Sequence, residues 1–135
     1  MSLFNNDNFE SIFIELTNSS LGNSIIGTVY RSPGYSPDLF MNDFVKVLSA
    51  ISKTGIECLI TGDFNIDLLK HDENADTDGF INNLYEHLFI PLISRPTRFN
   101  INSSTLIDNI FSNKLHDSLV SGILITDVSD HFPVF

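Results

Sequence analysis

Apolar and polar residues alternate over two stretches near the start of the chain. Residues 10–16, ESIFIEL, place Ile12, Ile14 and Leu16 on one side of an extended backbone. Residues 23–31, NSIIGTVYR, are rich in β-branched side chains, and the LGN before them is typical of a turn. The pattern therefore predicts two strands that are joined as a hairpin.

The spacing becomes helical after the loop SPGYSPD, which contains two prolines and a glycine. Ser36 is a typical N-cap, Pro37 suits the first helical position, and Gly55 is a typical helix stop. Apolar side chains recur between these signals at positions that share one helical face: Phe40, Phe44, Val47, Leu48 and Ile51. We expect an amphipathic helix here.

A third strand is predicted over residues 57–63, and an acidic loop, KHDENADTDG, follows it. A second helix is expected over about residues 79–89, with Phe80, Leu84 and Leu88 on one face. Its N-cap should be Thr77 or Asp78.

The remaining sequence predicts more extended structure. IPLISRPTRFN is irregular or a strand, residues 105–112 (TLIDNIFS) form a strand, and GILITDVSDHFPVF contributes one or two more. Strands that alternate with helices predict an α/β domain with some antiparallel pairing. Because the chain begins and ends on apolar strand patterns, we expect both ends to be cut from a longer domain.

Composition restricts the class of protein. A chain of 135 residues with 42% apolar side chains, 12 of them Phe, fits a globular domain with its own core. The apolar runs are shorter than the ~20 residues of a membrane helix, and the N-terminus has no signal-peptide pattern. Cys58 is the single cysteine, so no internal disulfide can form, and we expect a packed thiol and an intracellular location.

The chain is acidic, with 17 acidic and 7 basic side chains and a net charge of −10. This charge weighs against non-specific nucleic-acid binding, which depends on Lys and Arg at phosphates. It does not exclude a nuclease, because a divalent cation can supply positive charge locally.

One acidic stretch partly matches a calcium-binding loop. Asn74, Asp76, Asp78 and Gly79 fit the beginning of the motif, but Tyr85 stands where the bidentate carboxylate belongs. Acidic runs of this kind are usually solvated surface, so a helix start is the preferred interpretation.

Polar residues follow the third predicted strand in GDFN, residues 62–65. Strand spacing would turn Asp63 and Asn65 to one side and Phe64 to the other. A carboxylate can orient a water, and an amide can donate to a phosphoryl oxygen. By itself, however, the tetrapeptide favours an ordinary strand-to-turn exit with local Asx hydrogen bonds.

Two further candidate groups lie on other strands. Asp108 interrupts an apolar strand, where an unpaired carboxylate would be costly, and His131 is a natural partner for it. A purely structural Asp–His pair remains an alternative. Asp130 precedes this histidine, and Tyr30 ends the second strand, where its hydroxyl could bind phosphate or remain in water.

Taken in order, four segments resemble the endonuclease/exonuclease/phosphatase superfamily. They are VYRSP at 29–33, GDFN at 62–65, RPTR with STLIDNIFS at 95–112, and SDHFPV at 129–134. Together with IIGTVYRSP and LITGDFNID, they are most similar to the apurinic-type endonuclease domain of non-LTR, LINE-like retrotransposons. The resemblance covers nearly the whole chain.

The resemblance implies a four-layer α/β sandwich of two packed mixed sheets flanked by helices. Residues 1–135 would be the C-terminal two thirds of that domain, so the fold would be incomplete at its N-terminus. The implied reaction is hydrolysis of DNA phosphodiesters in the nucleus, with Mg²⁺ or alternatively Mn²⁺ as cofactor.

The resemblance also implies roles for individual residues. Asp63 would orient or activate the attacking water, and Asn65 and Tyr30 would contact the phosphate. His131, held by Asp108, would bind the phosphate or act as base. Asp130 would lie near the metal.

One departure from the family pattern concerns the metal. Family members carry an Asn and a metal-ligating Glu on strands upstream of the matched segment, whereas Glu10 and Glu15 here match a later strand. We therefore expect weak Mg²⁺ binding, slow or absent turnover and an apolar exposed edge. The alternatives are a non-catalytic remnant or interaction module, and a phosphatase or phosphodiesterase that acts on a small or lipid phosphate.

Overall fold

The computed structural model describes residues 7–20 and 22–135, which form a mixed sheet, two α-helices and a small second sheet. The elements, in chain order, are β1 Glu10–Leu16, β2 Ser24–Tyr30, α1 Pro37–Thr54, β3 Glu57–Asp63, a 3₁₀ turn Leu68–Lys70, α2 Ala75–Glu86, β4 Ile90–Pro91, β5 Arg98–Asn100, β6 Ser103–Thr105 and β7 Asp108–Ser112. Among the described residues, no helix combines the length and apolar character that crossing a bilayer requires.

The main sheet has the order β1-β2-β3-β7-β4. Strands β1 and β2 form the predicted antiparallel hairpin, and β3 runs parallel to β2 after the α1 crossover. Strand β7 is antiparallel to both of its neighbours, β3 and β4. The predicted α/β class with part-antiparallel pairing is confirmed.

Helix α1 follows its sequence signals at both ends. The Ser36 hydroxyl accepts a hydrogen bond from the Leu39 backbone N–H, and Pro37 takes the first helical position. Gly55 ends the helix in the left-handed conformation, with φ 65°, which glycine adopts at little cost. The five apolar residues predicted for its inner face are all buried.

Helix α2 begins earlier than predicted. It spans Ala75–Glu86 instead of 79–89, and its N-cap is Asn74, not Thr77 or Asp78. The Asn74 side-chain oxygen accepts from the N–H groups of Asp76 and Thr77. The residues that partly match a calcium loop are therefore a helix start. Leu88 lies beyond the helix and is 74% exposed, so it is not part of the apolar face.

The C-terminal part contains less strand than predicted. The expected strand 105–112 is divided, because β6 ends at Thr105 and β7 begins at Asp108. The one or two strands expected within 122–135 are not formed by the described residues. Only isolated bridges are present, between Ile123 and Val134 and between Arg98 and His131.

The core lies between both helices and one face of the sheet. Seven phenylalanines are almost completely buried there: Phe9, Phe40, Phe44, Phe64, Phe80, Phe89 and Phe111. Burial of a large apolar side chain contributes about 1.5–3 kcal/mol, so this cluster is a major source of stability. Cys58 is packed in the same core as predicted, and burial raises the pKa of its thiol to about 12.

On the opposite face of the sheet, the β1–β2 hairpin exposes apolar side chains to solvent. Phe13 turns toward the core above Gly27, so its strand neighbours Ile12 and Ile14 face outward. These two side chains are each 47% exposed, and Ile26 on β2 is 44% exposed. These side chains form an exposed apolar face on the hairpin that includes edge strand β1. The apolar edge expected from the resemblance remains a prediction.

Candidate active site

Polar side chains meet where β2, β3 and β7 adjoin. The register places Tyr30 beside Asp63 on the parallel pair, and Asp63 beside Asp108 on the antiparallel pair. Directly paired residues project to the same face of a sheet. The carboxyl ends of parallel strands are also where α/β sheets usually bind ligands. On β1, Glu10 pairs with Tyr30 of β2 and extends this row of polar residues, a position that was not predicted to be part of the site.

Asp108 and His131 form the predicted pair. The His131 Nδ1 atom lies 3.0 Å from Oδ2 and 3.2 Å from Oδ1 of the carboxylate. The side chains are 16% exposed for Asp108 and 31% exposed for His131. Because Nδ1 is held by the carboxylate, Nε2 remains the ring atom that can exchange a proton with a substrate.

A buried threonine, Thr97, for which no role was predicted, supports this pair. The Thr97 hydroxyl donates to Asp108 Oδ2 over 2.7 Å and accepts from the backbone N–H groups of Ile107 and Asp108. The Thr97 carbonyl also accepts from the Phe132 N–H, next to His131. Thr97 therefore connects the carboxylate to the segment that carries the imidazole.

Asp63 is partly buried at the end of β3. Burial raises the pKa of this carboxyl, and the nearby Asp108 charge raises it further, against the lowering effect of an Asn65 N–H hydrogen bond. That N–H donates to Oδ1 over 3.0 Å. No hydrogen bond from a described residue reaches Oδ2. A carboxylate that resists ionisation and has a free oxygen is suited to accept a proton from water.

Asn65 does not follow the strand spacing assumed for it. Strand β3 ends at Asp63, and the Asn65 backbone is left-handed, with φ 49°. Its side-chain Nδ2 donates to the Arg31 carbonyl over 2.8 Å. Phe64 is buried as predicted. The phosphate contact assigned to Asn65 remains a prediction.

Arg31 holds this loop in place. Its guanidinium donates to three backbone carbonyls, at 2.7 Å to Phe64, 2.6 Å to Asn65 and 2.5 Å to Tyr35. Arg31 is 4% exposed, and burial lowers the pKa of the guanidinium. No local sequence signal identifies this role, because two of the carbonyls lie 33 and 34 residues away.

Asp130 is bound by an arginine. The Arg98 Nε atom donates to Asp130 Oδ2 over 2.8 Å, and this hydrogen bond lowers the pKa of the Asp130 carboxyl. Among the described residues, the site group with mutually close ligand atoms consists of Asp63, Asp108 and His131, without Asp130. The position of Asp130 near the metal therefore remains a prediction. Tyr30 is 43% exposed, and its contact with the phosphate also remains a prediction.

The group fits a divalent cation chemically. One ligand atom from each of Asp63, Asp108 and His131 lies within 4.8 Å of the others. Carboxylate oxygens are ligands that Mg²⁺ prefers, and water usually completes its shell. The pair of carboxylates is therefore the part of the site that would hold the ion.

Solved structures share this arrangement of strands and helices. The endonuclease domain of TRAS1, a telomere-specific non-LTR retrotransposon, superposes with a TM-score of 0.64 at 14% identity, over 96% of this chain and 68% of that one. The catalytic domain of Xenopus laevis APE2 superposes with a TM-score of 0.65 at 19% identity, over 94% of this chain and 54% of that one.

A protein of the endonuclease/exonuclease/phosphatase family from Bacteroides thetaiotaomicron gives a TM-score of 0.63 at 18% identity, over 93% of this chain and 54% of that one. The fold is that of the endonuclease/exonuclease/phosphatase family. The predicted resemblance and fold class are thus confirmed at the level of the fold.

Neither a protein-family model nor a curated protein sequence matches this chain. The chain spans only about half the length of two of these endonuclease/exonuclease/phosphatase-fold structures.

Proposed function

We propose that this chain carries catalytic residues of a divalent-metal-dependent DNA endonuclease of the non-LTR retrotransposon type. The observation that carries the proposal is the convergence of Asp63 and Asp108, at the adjoining ends of β3 and β7, with His131 from the C-terminal segment. Similarity to the TRAS1 endonuclease domain and the sequence segments noted above support the choice of DNA as substrate.

In the proposed reaction, His131 acts on the phosphate through Nε2. Asp108 accepts from Nδ1–H, which favours the tautomer with an unprotonated Nε2 and stabilises the imidazolium when it forms. Nε2 can then take a proton from water, or hold one that is shared with a phosphoryl oxygen. Thr97 keeps the carboxylate in this orientation.

Asp63 orients the attacking water through Oδ2. The pKa of Asp63 is raised mainly by burial, which makes the carboxylate a stronger hydrogen-bond acceptor for this water. Tyr30 stands beside it in the register and offers a hydroxyl to the phosphate. The second amide proton of Asn65 is available for the same phosphate, because the hydrogen bond from Nδ2 to the Arg31 carbonyl uses only one of the two.

The cofactor proposed is Mg²⁺ or Mn²⁺, held by Asp63 and Asp108, with Asp130 as a further candidate near it. A bound divalent cation would stabilise the negative charge that develops on the phosphate. The metal-ligating Glu that the family resemblance implies has no counterpart among the residues of this site, and loss of a carboxylate ligand weakens Mg²⁺ binding. We therefore expect millimolar metal to be needed and turnover by this chain to be slow.

Location and partners follow from the substrate. A retrotransposon endonuclease meets its DNA in the nucleus, and we propose that location for this chain. The net charge of −10 opposes a polyanion, so DNA binding should be weak and should need low ionic strength.

The test is nicking of supercoiled plasmid by the purified chain with Mg²⁺, in parallel with His131→Ala, Asp63→Asn and an EDTA control. Loss of a proton-transfer group typically costs about 10²–10⁴-fold, so both variants should fall below detection. Circular dichroism on each variant separates loss of chemistry from loss of fold. Nicking that survives in His131→Ala and in EDTA would contradict the proposal.

Two other outcomes identify the alternatives. Release of inorganic phosphate from a monoester, without plasmid nicking, would favour a phosphatase of the same fold. A folded chain that acts on neither substrate at millimolar Mg²⁺ and Mn²⁺ would favour a non-catalytic remnant or interaction module.

A further inference from the structure

Arg98 lies directly beside the candidate site. Strand β5, which begins at Arg98, forms an isolated bridge with His131, and the Phe99 N–H donates to the Asp130 carbonyl over 2.9 Å. The backbone of Arg98 is therefore fixed against the segment that carries the imidazole.

The guanidinium of Arg98 is oriented but only partly used. Nε donates to Asp130 Oδ2, and the side chain is 38% exposed. Neither Nη group is hydrogen-bonded to another described residue. Two NH₂ groups therefore remain available on a fork whose direction is set by the carboxylate.

The charge of Arg98 faces the carboxylates of the site. The hydrogen bond to Asp130 raises the pKa of Arg98, and attraction to Asp63 and Asp108 adds to this effect. The same interaction appears from the other side, since Arg98 lowers the pKa of Asp63. Arg98 is therefore close enough to the proposed reaction centre to interact with it electrostatically.

The other basic side chains do not offer this combination. All seven lie in the described part of the chain. The Arg31 guanidinium also lies near Asp63, but it is buried and bound to three carbonyls. Lys46 is paired with Asp43 on the surface of α1. Arg98 is thus a partly exposed cation that Asp130 orients beside the site, where a phosphodiester would approach.

We infer that Arg98 binds a non-bridging oxygen of the substrate phosphodiester through its Nη groups, while Asp130 orients and competes for the guanidinium. This inference rests on the proposed function. Guanidinium forks match the geometry of phosphate oxygens, and hydrogen bonds between charged groups are among the stronger ones in proteins. The positive charge of Arg98 would also reduce the repulsion between the DNA phosphates and the acidic site.

The test measures binding rather than turnover. A fluorescein-labelled DNA duplex with phosphorothioate linkages is titrated with each variant in Mg²⁺ at low salt, and anisotropy gives the Kd. Arg98→Ala should weaken binding about 10- to 100-fold, and Arg98→Lys should fall between it and the wild type. Asp130→Asn is compared with the wild type in EDTA, so that a metal role of Asp130 does not enter. It should bind as tightly as the wild type or more tightly, because the amide oxygen still accepts from Nε while one negative charge is removed.

Arg95→Ala is the matched control, since Arg95 is exposed and three residues away and its loss changes the net charge equally. It should change the Kd less than about threefold, because an exposed charge that makes no described contact with the site contributes little. Thermal unfolding of every variant checks that the fold is retained.

Four results would contradict the inference. Equal loss in Arg95→Ala and Arg98→Ala would mean that only net charge matters, and a 10-fold loss in Asp130→Asn would mean that the ion pair is structural. An unchanged Kd in Arg98→Ala would overturn the inference but leave the endonuclease proposal intact. A wild-type chain that does not bind the duplex, although folded, would overturn both.

Discussion

The Thr97 hydroxyl oxygen lies 2.7 Å from Oδ2 of Asp108, and it accepts two backbone N–H groups as it donates to that carboxylate. Thr97 is fully buried, so water cannot replace these interactions. Because the Thr97 hydroxyl accepts from the backbone and donates to the carboxylate, it holds the Asp108 side chain in one rotamer. The orientation of the His131 ring depends on that rotamer.

Replacement of Thr97 by valine should therefore be costly although the two side chains have similar shapes. Thr97→Val leaves two buried N–H groups without an acceptor, and we expect a loss of about 1–3 kcal/mol in the free energy of unfolding, measured in urea. Thr97→Ser keeps the hydroxyl and should recover most of this loss.

The same pair of variants tests the positioning role. The ¹⁵N chemical shifts of the His131 ring report its tautomer, and they should change in Thr97→Val but remain close to wild type in Thr97→Ser. Equal shifts in both variants would mean that Thr97 acts only through packing.

Asp63→Asn should stabilise the fold at neutral pH while it abolishes nicking. Burial raises the pKa of Asp63 above its ordinary value of 3.8, so the native state binds more protons than the unfolded state just above that pH. The unfolding free energy contributed by this group therefore falls as the pH rises through this window. Asparagine retains the acceptor for the Asn65 N–H but carries no charge.

Denaturant unfolding at a series of pH values measures this effect. The difference in unfolding free energy between Asp63→Asn and wild type should be small near pH 3.8 and should increase toward neutral pH. A difference that decreases with pH would show that the folded state favours the ionised carboxylate.

Gly62 should tolerate no side chain. A Cβ atom at this position would overlap the backbone carbonyl oxygen of Val29 on the neighbouring parallel strand. Backbone atoms cannot rotate away, so Gly62→Ala should cost about 3 kcal/mol or more, at the upper end of overpacking effects. The distortion should also lower nicking, because Asp63 is the next residue.

Gly79→Ala is the control for this substitution. Gly79 lies inside α2, and a Cβ there would contact nothing. Alanine should stabilise the helix by about 0.5–1 kcal/mol. Urea midpoints of the two variants should move in opposite directions, and a loss of stability in both would contradict the argument from space.

The exposed apolar face of the hairpin should promote self-association. Ile14 and Ile26 are paired across β1 and β2 on this face. The double variant Ile14→Thr/Ile26→Thr keeps β-branched side chains and should change stability by less than about 1 kcal/mol. Its apparent mass by size-exclusion chromatography with light scattering should depend less on concentration than that of the wild type.

Leu39→Gln is the matched control, because Leu39 is 53% exposed on α1 and lies off this face. It should leave the association of the chain unchanged. The same reduction in Leu39→Gln would mean that total exposed apolar area, rather than this face, causes association.

Local chemistry explains which predictions were accurate. The boundaries of α1 follow from one strong N-cap, a proline and a glycine, each of which acts within a turn of the chain. In NADTDG, by contrast, Asn74, Thr77 and Asp78 are all acceptable N-caps of similar energy. The choice between them depends on packing, which places Thr77 and Phe80 in the interior. The helix therefore begins four residues before the predicted position.

For the candidate site, too, the residue types could be predicted from the sequence but their spatial arrangement could not. The residue types in GDFN, LID and SDH indicated Asp63, Asp108 and His131 as polar groups at strand ends. Their convergence depends on the register between β3 and β7, which pairs Asp63 with Asp108. Nothing within either segment specifies that register, because it results from packing of the whole sheet.

By itself, then, the sequence determined the strands β1 to β3, helix α1, the acidic charge and the chemical types at the site. The tertiary structure alone decided that Arg31 binds the Asn65 carbonyl 34 residues away and that Arg98 binds Asp130 across 32 residues. It also decided which face of β1 is buried. Hydrogen-bonding and propensity rules act over a few residues, whereas these contacts depend on segments that only the folded sheet brings together.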